Sequence, residues 1–181
     1  MALTVYTVGH SNHSIEYLLQ LLRTMELQQL VDVRAYPGST KHPQFASAYL
    51  QQALAGSGIV YRWAGSRLGG MRKGCSRSRH RAIESPPLRA YADYMETERF
   101  RNALDELIDS AGTLRTVLMC AERDPSRCHR SLIADYLTLR DVRVMHLIDN
   151  DTRVHQLNPL VRRVGDSLIY DRGSTHELGF E

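Results

Sequence analysis

The sequence predicts an α/β fold: a single three-layer domain over residues 1–181, with a central, mostly parallel sheet of about five strands flanked by helices. Three observations predict it. Short β-prone apolar runs alternate with stretches whose apolar residues recur at helical spacing. Strands that alternate with helices form crossover units, which favour a parallel sheet covered on both faces. With 181 residues, 43% of them hydrophobic and 24% charged, the chain can bury one real core and is too short for two comfortable ones.

The elements follow in order. Leu3 to Val8 is a β-prone first strand running into Gly9-His10-Ser11. Ser14 is a good N-cap, and Ile15, Leu18, Leu19, Leu22 and Met25 then recur at helical spacing. Leu30 to Arg34 reads as a buried second strand that ends in charge. Ala35 to Gln44 holds two prolines and a glycine and reads as a loop. A helix from Phe45 to about Ala55 stops at Gly56, and Ile59 to Trp63 gives a third strand. The loop from Gly65 to Pro86 is long for a compact domain. Pro87 opens a helix to about Asp109, with a break near Thr97. Thr116 to Met119 is a buried fourth strand, followed by a polar turn and a helix from Ser131 to Leu137. Val142 to Ile148 is a fifth strand, turning at Asp149-Asn150-Asp151 into Arg153-Val154-His155. Leu168 to Tyr170 is a last short strand before a polar tail.

Composition narrows the class. No apolar run approaches the roughly 18 residues of a membrane span, and the N-terminus has no basic region leading into an apolar one. Three unevenly spaced cysteines do not make a disulfide framework. The expectation is a reduced, cytoplasmic protein without a membrane partner. The net charge of +3 is mild, but Arg67, Arg72, Lys73, Arg77, Arg79 and Arg81 fall in one stretch free of acids. Such a block can meet phosphates, or can be a solvated loop.

In a parallel sheet the turns after strands one, two and four share one edge, where open α/β sheets bind ligands. Those turns carry Gly9-His10-Ser11, Asp32 with Arg34, and CAERDPSRCHR from Cys120 to Arg130. With TVGHSNHS (7–14), DVRAYPGS (32–39), GIVYRWAGSRLGG (58–70) and VMHLIDNDTRVHQL (144–157), this last segment resembles the domain-of-unknown-function 488 family. The segments come in that family's order and span most of the chain. The resemblance implies one α/β domain with a site near these motifs, and implies no reaction.

Three chemistries suit the convergent turns. Cys120, at a strand end near a helix N-terminus and several arginines, is a candidate nucleophile. Glu122, His10 or His129 would then be acid or base. The alternative is a small apolar residue ending a strand. The arginine spacing departs from that of cysteine phosphatases and rhodanese-like enzymes. Second, Cys120, Cys128 and His10 could hold zinc or iron, although adjacent Cys128 and His129 are poorly spaced to share one ion. Third, Arg34, Arg127 and Arg130 could clamp a phosphate near helix N-termini, with Gly69 and Gly70 letting backbone approach the ligand. Internal pairing of Arg34 with Asp32 or Glu122, and of Arg130 with Asp135, is the structural alternative. Tyr61 and Trp63 could stack a base or simply pack. His146 and His155 read as hydrogen-bonded structural histidines.

The leading expectation is an enzyme acting on a phosphate-bearing ligand, a nucleotide or nucleic acid. Its site would join catalytic Cys120, Glu122 and His10 to ligand-binding Gly9, Ser11, Asp32, Arg34, Gly69, Gly70, Cys128, His129 and Arg130. The alternatives are a non-catalytic nucleic-acid-binding module using residues 67–81, and a metal-dependent hydrolase or sensor. These residue types specify neither a cofactor nor an oligomeric state.

Overall fold

The computed structural model describes residues 3–38 and 40–172, so the polar tail lies outside the described residues. Six strands form one sheet: β1 (Thr4–Gly9), β2 (Gln29–Asp32), β3 (Val60–Trp63), β4 (Thr116–Cys120), β5 (Arg143–Ile148) and β6 (Asp151–Val154). Their spatial order is β3-β2-β4-β1-β5-β6. The first five are parallel, and β6 closes one edge antiparallel to β5. The sixth strand is the hairpin arm that the turn at Asp149 announced.

Strand side chains alternate between faces, which sorts the core into two layers. Val5, Val31, Leu118 and Val144 face one way. They pack against α4 (Pro86–Met95), α5 (Glu98–Thr113) and α6 (His129–Leu139). Tyr6, Leu30, Val117 and Leu147 face the other way, onto α1 (Ile15–Thr24) and α2 (Ser47–Ala55). Continuous apolar runs in β1, β2 and β4 are what two-sided burial requires.

Helix ends follow local chemistry. The Ser14 hydroxyl accepts the Tyr17 amide at 3.1 Å and opens α1. Thr97 separates α4 from α5, its hydroxyl accepting the Phe100 amide at 3.3 Å. α2 begins later than its apolar pattern implies, because Pro43–Phe45 forms a short 3-10 turn first. α6 begins earlier than expected, at His129, with Cys128 as its N-cap. The Ser131 hydroxyl instead bonds back to the Cys128 carbonyl at 2.9 Å.

The long loop starts with one helical turn, α3 (Gly65–Leu68), and is then tied down. The Cys75 amide donates to Asp93, Arg79 pairs with Glu96, and His80 is wholly buried. A separate hairpin, β7 (Val161–Val164) and β8 (Ser167–Tyr170), turns at Gly165 with φ +59°. It docks on α6, since Tyr170 Oη donates to Asp135 at 2.8 Å. Behind the sheet runs a buried polar chain. Thr7 Oγ1 meets His146 Nδ1 at 2.7 Å, His146 Nε2 meets His155 Nδ1 at 2.9 Å, and His155 Nε2 meets Asp135 at 2.9 Å. Asp135 is thereby occupied, and the expected Arg130–Asp135 pair does not form. Among the described residues, no helix is long and apolar enough to cross a membrane.

Candidate functional site

Register brings the strand ends together. Gly9 sits beside Cys120, and Asp32 beside Met119. Backbone bonds then zip the turns: His10 N–H to Cys120 O at 2.9 Å, Ser11 N–H to Ala121 O at 2.9 Å, and Val33 N–H to Met119 O at 3.0 Å. Gly9 is required by a close approach, since a Cβ there would lie 1.9 Å from the Glu122 carbonyl oxygen. The fully buried Arg130 braces the same turn. It donates to the Glu122 and Arg123 carbonyls, and to Thr7 Oγ1 at 3.2 Å. Above these turns opens a cleft of about 660 Å³, a size suited to a small ligand.

Two sulfurs and an imidazole form its floor. The ligand atoms of Cys120, Cys128 and His129 lie within 4.8 Å of one another, and Cys128 Sγ is 3.6 Å from His129 Nδ1. His129 Nε2 lies 3.0 Å from the Val33 carbonyl oxygen, an acceptor, so Nε2 carries the proton and Nδ1 turns its lone pair toward the sulfur. The hydrogen bond from Cys120 holds the Cys128 pKa well below the usual thiol range. His129 and Arg130 add to this, against an opposing push from burial. Cys120 moves the other way, raised by that same hydrogen bond and by burial. The thiol at the helix N-terminus is Cys128, the N-cap of α6, whereas the sequence pointed to Cys120. A thiol whose pKa is lowered by a hydrogen bond and by neighbouring cationic side chains is the usual reactive thiolate.

Gly70 fits against the imidazole, because a Cβ there would come within 2.6 Å of His129 Nδ1. Gly70→Ala is expected to push the ring off Cys128 and slow alkylation of that thiol by roughly tenfold while the protein stays folded. Unchanged alkylation kinetics would show that the ring does not govern the sulfur. Gly69 does not line the cleft, and its carbonyl accepts Arg72 Nε at 2.8 Å.

The opposite wall is a closed polar knot. Asp32, wholly buried, accepts the Arg34 amide at 3.1 Å, Arg34 Nε at 2.9 Å, Arg34 Nη2 at 2.6 Å and Tyr61 Oη at 2.9 Å. Trp63 Nε1 donates to the Arg34 carbonyl at 3.0 Å, so Tyr61 and Trp63 brace this knot. Arg34 Nη2 also reaches the Phe45 carbonyl, and Nη1 lies 3.3 Å from His10 Nε2. His10 stacks on Phe45 and donates from Nδ1 to the Ser11 carbonyl. Burial first, and the Arg34 charge second, lower its pKa to about 4. Both ring nitrogens are thus engaged on a neutral ring, and neither is turned to the sulfurs.

Of the expected residues, His10, Ser11, Arg34, Gly70, Cys120, Glu122, Cys128 and His129 line the cleft together. Gly9, Asp32 and Arg130 stand behind it as supports, so Arg34 and Arg130 are bonded within the protein instead of forming an open anion clamp. Sequence reasoning missed Tyr36, Lys41, His42, Met71 and Arg123, which also line it. The first three sit on the loop after β2, whose position at the same edge was the available signal. Part of the basic stretch is engaged within the protein. Arg67 pairs with Glu106 and Arg79 with Glu96, while Arg72 bonds carbonyls and lies over Tyr94.

Metal-binding capacity sits on the same floor. Sulfur and nitrogen bound to one tetrahedral zinc stand about 3.6 Å apart, the spacing Cys128 and His129 have. Adjacent residues do converge here, contrary to expectation, because one is an extended N-cap and the next is helical. His80, Asp93 and Glu96 also cluster. There, however, the Tyr170 amide occupies His80 Nδ1 at 3.3 Å, and Nε2 meets Glu96 at 2.9 Å.

The fold and site together define an α/β protein with a thiol-bearing cleft at the carboxyl end of a mainly parallel sheet. The chain belongs to the family described as domain of unknown function DUF488, whose model matches residues 14–137. No curated protein and no solved structure matches it.

Proposed function

We propose that this protein is an enzyme acting on a phosphate-bearing ligand of nucleotide class, with Cys128 as the nucleophile. The observation that carries this reading is the Cys128 sulfur at the start of α6, 3.6 Å from an imidazole oriented by the Val33 carbonyl. His129 takes the thiol proton and returns it to the leaving group, the usual work of such a pair. Glu122, exposed on the cleft wall, is the second proton-transfer candidate. Tyr36 and Met71, 75% and 72% exposed, offer apolar surfaces for a base, and Lys41 offers charge for a phosphate.

Iodoacetamide alkylation at graded pH tests the nucleophile. Cys128 is expected to react half-maximally well below the ~8.5 of a free thiol. Cys128→Ser should then abolish turnover of any nucleotide that raises the melting temperature. An ordinary thiol titration at Cys128, or full turnover by Cys128→Ser, would refute the role. A second reading, a metal-dependent hydrolase, is favoured by the convergence of Cys120, Cys128 and His129 within 4.8 Å, with Cys128 and His129 at the 3.6 Å that one zinc would require. Near-stoichiometric zinc that is lost in Cys128→Ser would select it.

A further inference from the structure

We propose that Cys120 and Cys128 form a reversible disulfide when the protein meets a hydroperoxide, with Cys128 oxidised first and Cys120 resolving it. The inference rests on the reading of Cys128 as the reactive sulfur, and adds a partner and a chemical switch.

Geometry carries it. Both cysteines are free thiols, and both line the cleft although each is buried to nine-tenths or more. Their sulfurs lie within 4.8 Å, so side-chain rotation and a modest backbone adjustment bring them toward the ~2.05 Å of a bond. Arg130 stands two residues past Cys128 and holds the Glu122 and Arg123 carbonyls, two and three residues past Cys120. That side chain keeps the two cysteine segments side by side whatever the cleft contains. Few residues separate them in sequence, so closing the loop costs little entropy. Cys75, by contrast, is exposed on the long loop, where it serves as an internal reference for alkylation and oxidation.

The chemistry balances. The Cys128 thiolate attacks one peroxide oxygen and the O–O bond breaks. Cys128 becomes a sulfenic acid, and hydroxide leaves (an alkoxide from an organic peroxide), taking a proton from solvent. The Cys120 sulfur then attacks the sulfenic sulfur, forming the S–S bond and releasing water. Two thiols supply the two electrons that reduce the peroxide, and an external dithiol returns both sulfurs to the starting state. His129, beside the attacked sulfur, takes the Cys120 proton as the bond closes and passes it to the departing hydroxide, which leaves as that water. Closure removes the nucleophile from the cleft floor, so oxidised protein is inactive until reduced.

The test uses full-length, metal-free protein carrying Cys75→Ser, treated with a small excess of hydrogen peroxide and read by intact mass. The expected product has lost two hydrogens and both alkylatable thiols, with Cys128 alkylation reduced at least about tenfold and restored by dithiothreitol. Cys120→Ser should stop at a Cys128 sulfenic acid that dimedone traps, and Cys128→Ser should do neither. Oxygen additions at Cys128 without a disulfide would overturn the resolving role and leave the nucleophile reading intact. Oxidation of Cys128 no faster than that of Cys75 in the unsubstituted protein would overturn both. So would zinc, bound as purified, whose removal is needed to expose the thiols.

Discussion

Replacing Asp32 with Ala is expected to destabilise the protein by about 3–5 kcal/mol, the cost typical of breaking one side of a buried ion pair. Against a total stability of roughly 5–15 kcal/mol, that is a large fraction. The carboxylate is wholly buried, and it takes three Arg34 donors and the Tyr61 hydroxyl. Burial opposes the Arg34 charge, and the bonds to Asp32 overcome that, so its pKa rises. Removing Asp32 strands a guanidinium with too few partners. Urea unfolding measures the loss. A paired Asp32→Leu, Arg34→Met variant should recover part of it, since an apolar pair leaves no orphan charge. A single variant within about 1 kcal/mol of wild type would show that the pair is solvated.

Stability is also expected to climb steeply between pH 4.5 and 6.5, from two histidines held neutral. Burial and then Arg34 depress His10 to about 4, and burial followed by His155 depresses His146 to about 4. In the unfolded chain both titrate near ~6.5. Over that window the unfolded state binds more protons, so the stability is fully present above pH 6.5 and drains away as pH falls toward 4. Below 4 the native state protonates too, and the loss stops growing. Each residue contributes up to about 3 kcal/mol. Urea titrations at pH 7.5, 6 and 5 read the slope. His146→Gln and His10→Asn should each remove part of it, and an unchanged slope in both variants would assign the acid sensitivity elsewhere.

Legibility in the sequence followed the range of the interactions. The five parallel strands were plain because two-sided burial writes itself as runs such as Thr116 to Met119. The break at Thr97 was plain because a hydroxyl followed by helical periodicity is a local signal. Convergence of Gly9, Asp32 and Cys120 followed from strand order alone. What stayed hidden was bonding to backbone carbonyls in other segments. No side-chain pattern names the Glu122 carbonyl that holds Arg130, the Phe45 carbonyl that takes Arg34, or the Val33 carbonyl that fixes His129. The start of α6 was misplaced for a similar reason. Ser131 is a better cap by type than Cys128, yet its hydroxyl turns back to the Cys128 carbonyl, and the helix begins two residues earlier.

Cys128 and His129 share a peptide bond, so local dihedrals at a helix entrance set their separation. Cys120 reaches them only through the sheet edge and the Arg130 brace. Heat or mild denaturant that loosens the edge should therefore separate the sulfurs while leaving imidazole and Cys128 together. A partly melted molecule would keep the imidazole beside Cys128 but lose both the Cys120 hydrogen bond that lowers its pKa and the resolving sulfur, so a sulfenic acid formed there would have no internal partner. On the proposed chemistry, the order in which these contacts fail decides whether oxidation of Cys128 can still be reversed through Cys120.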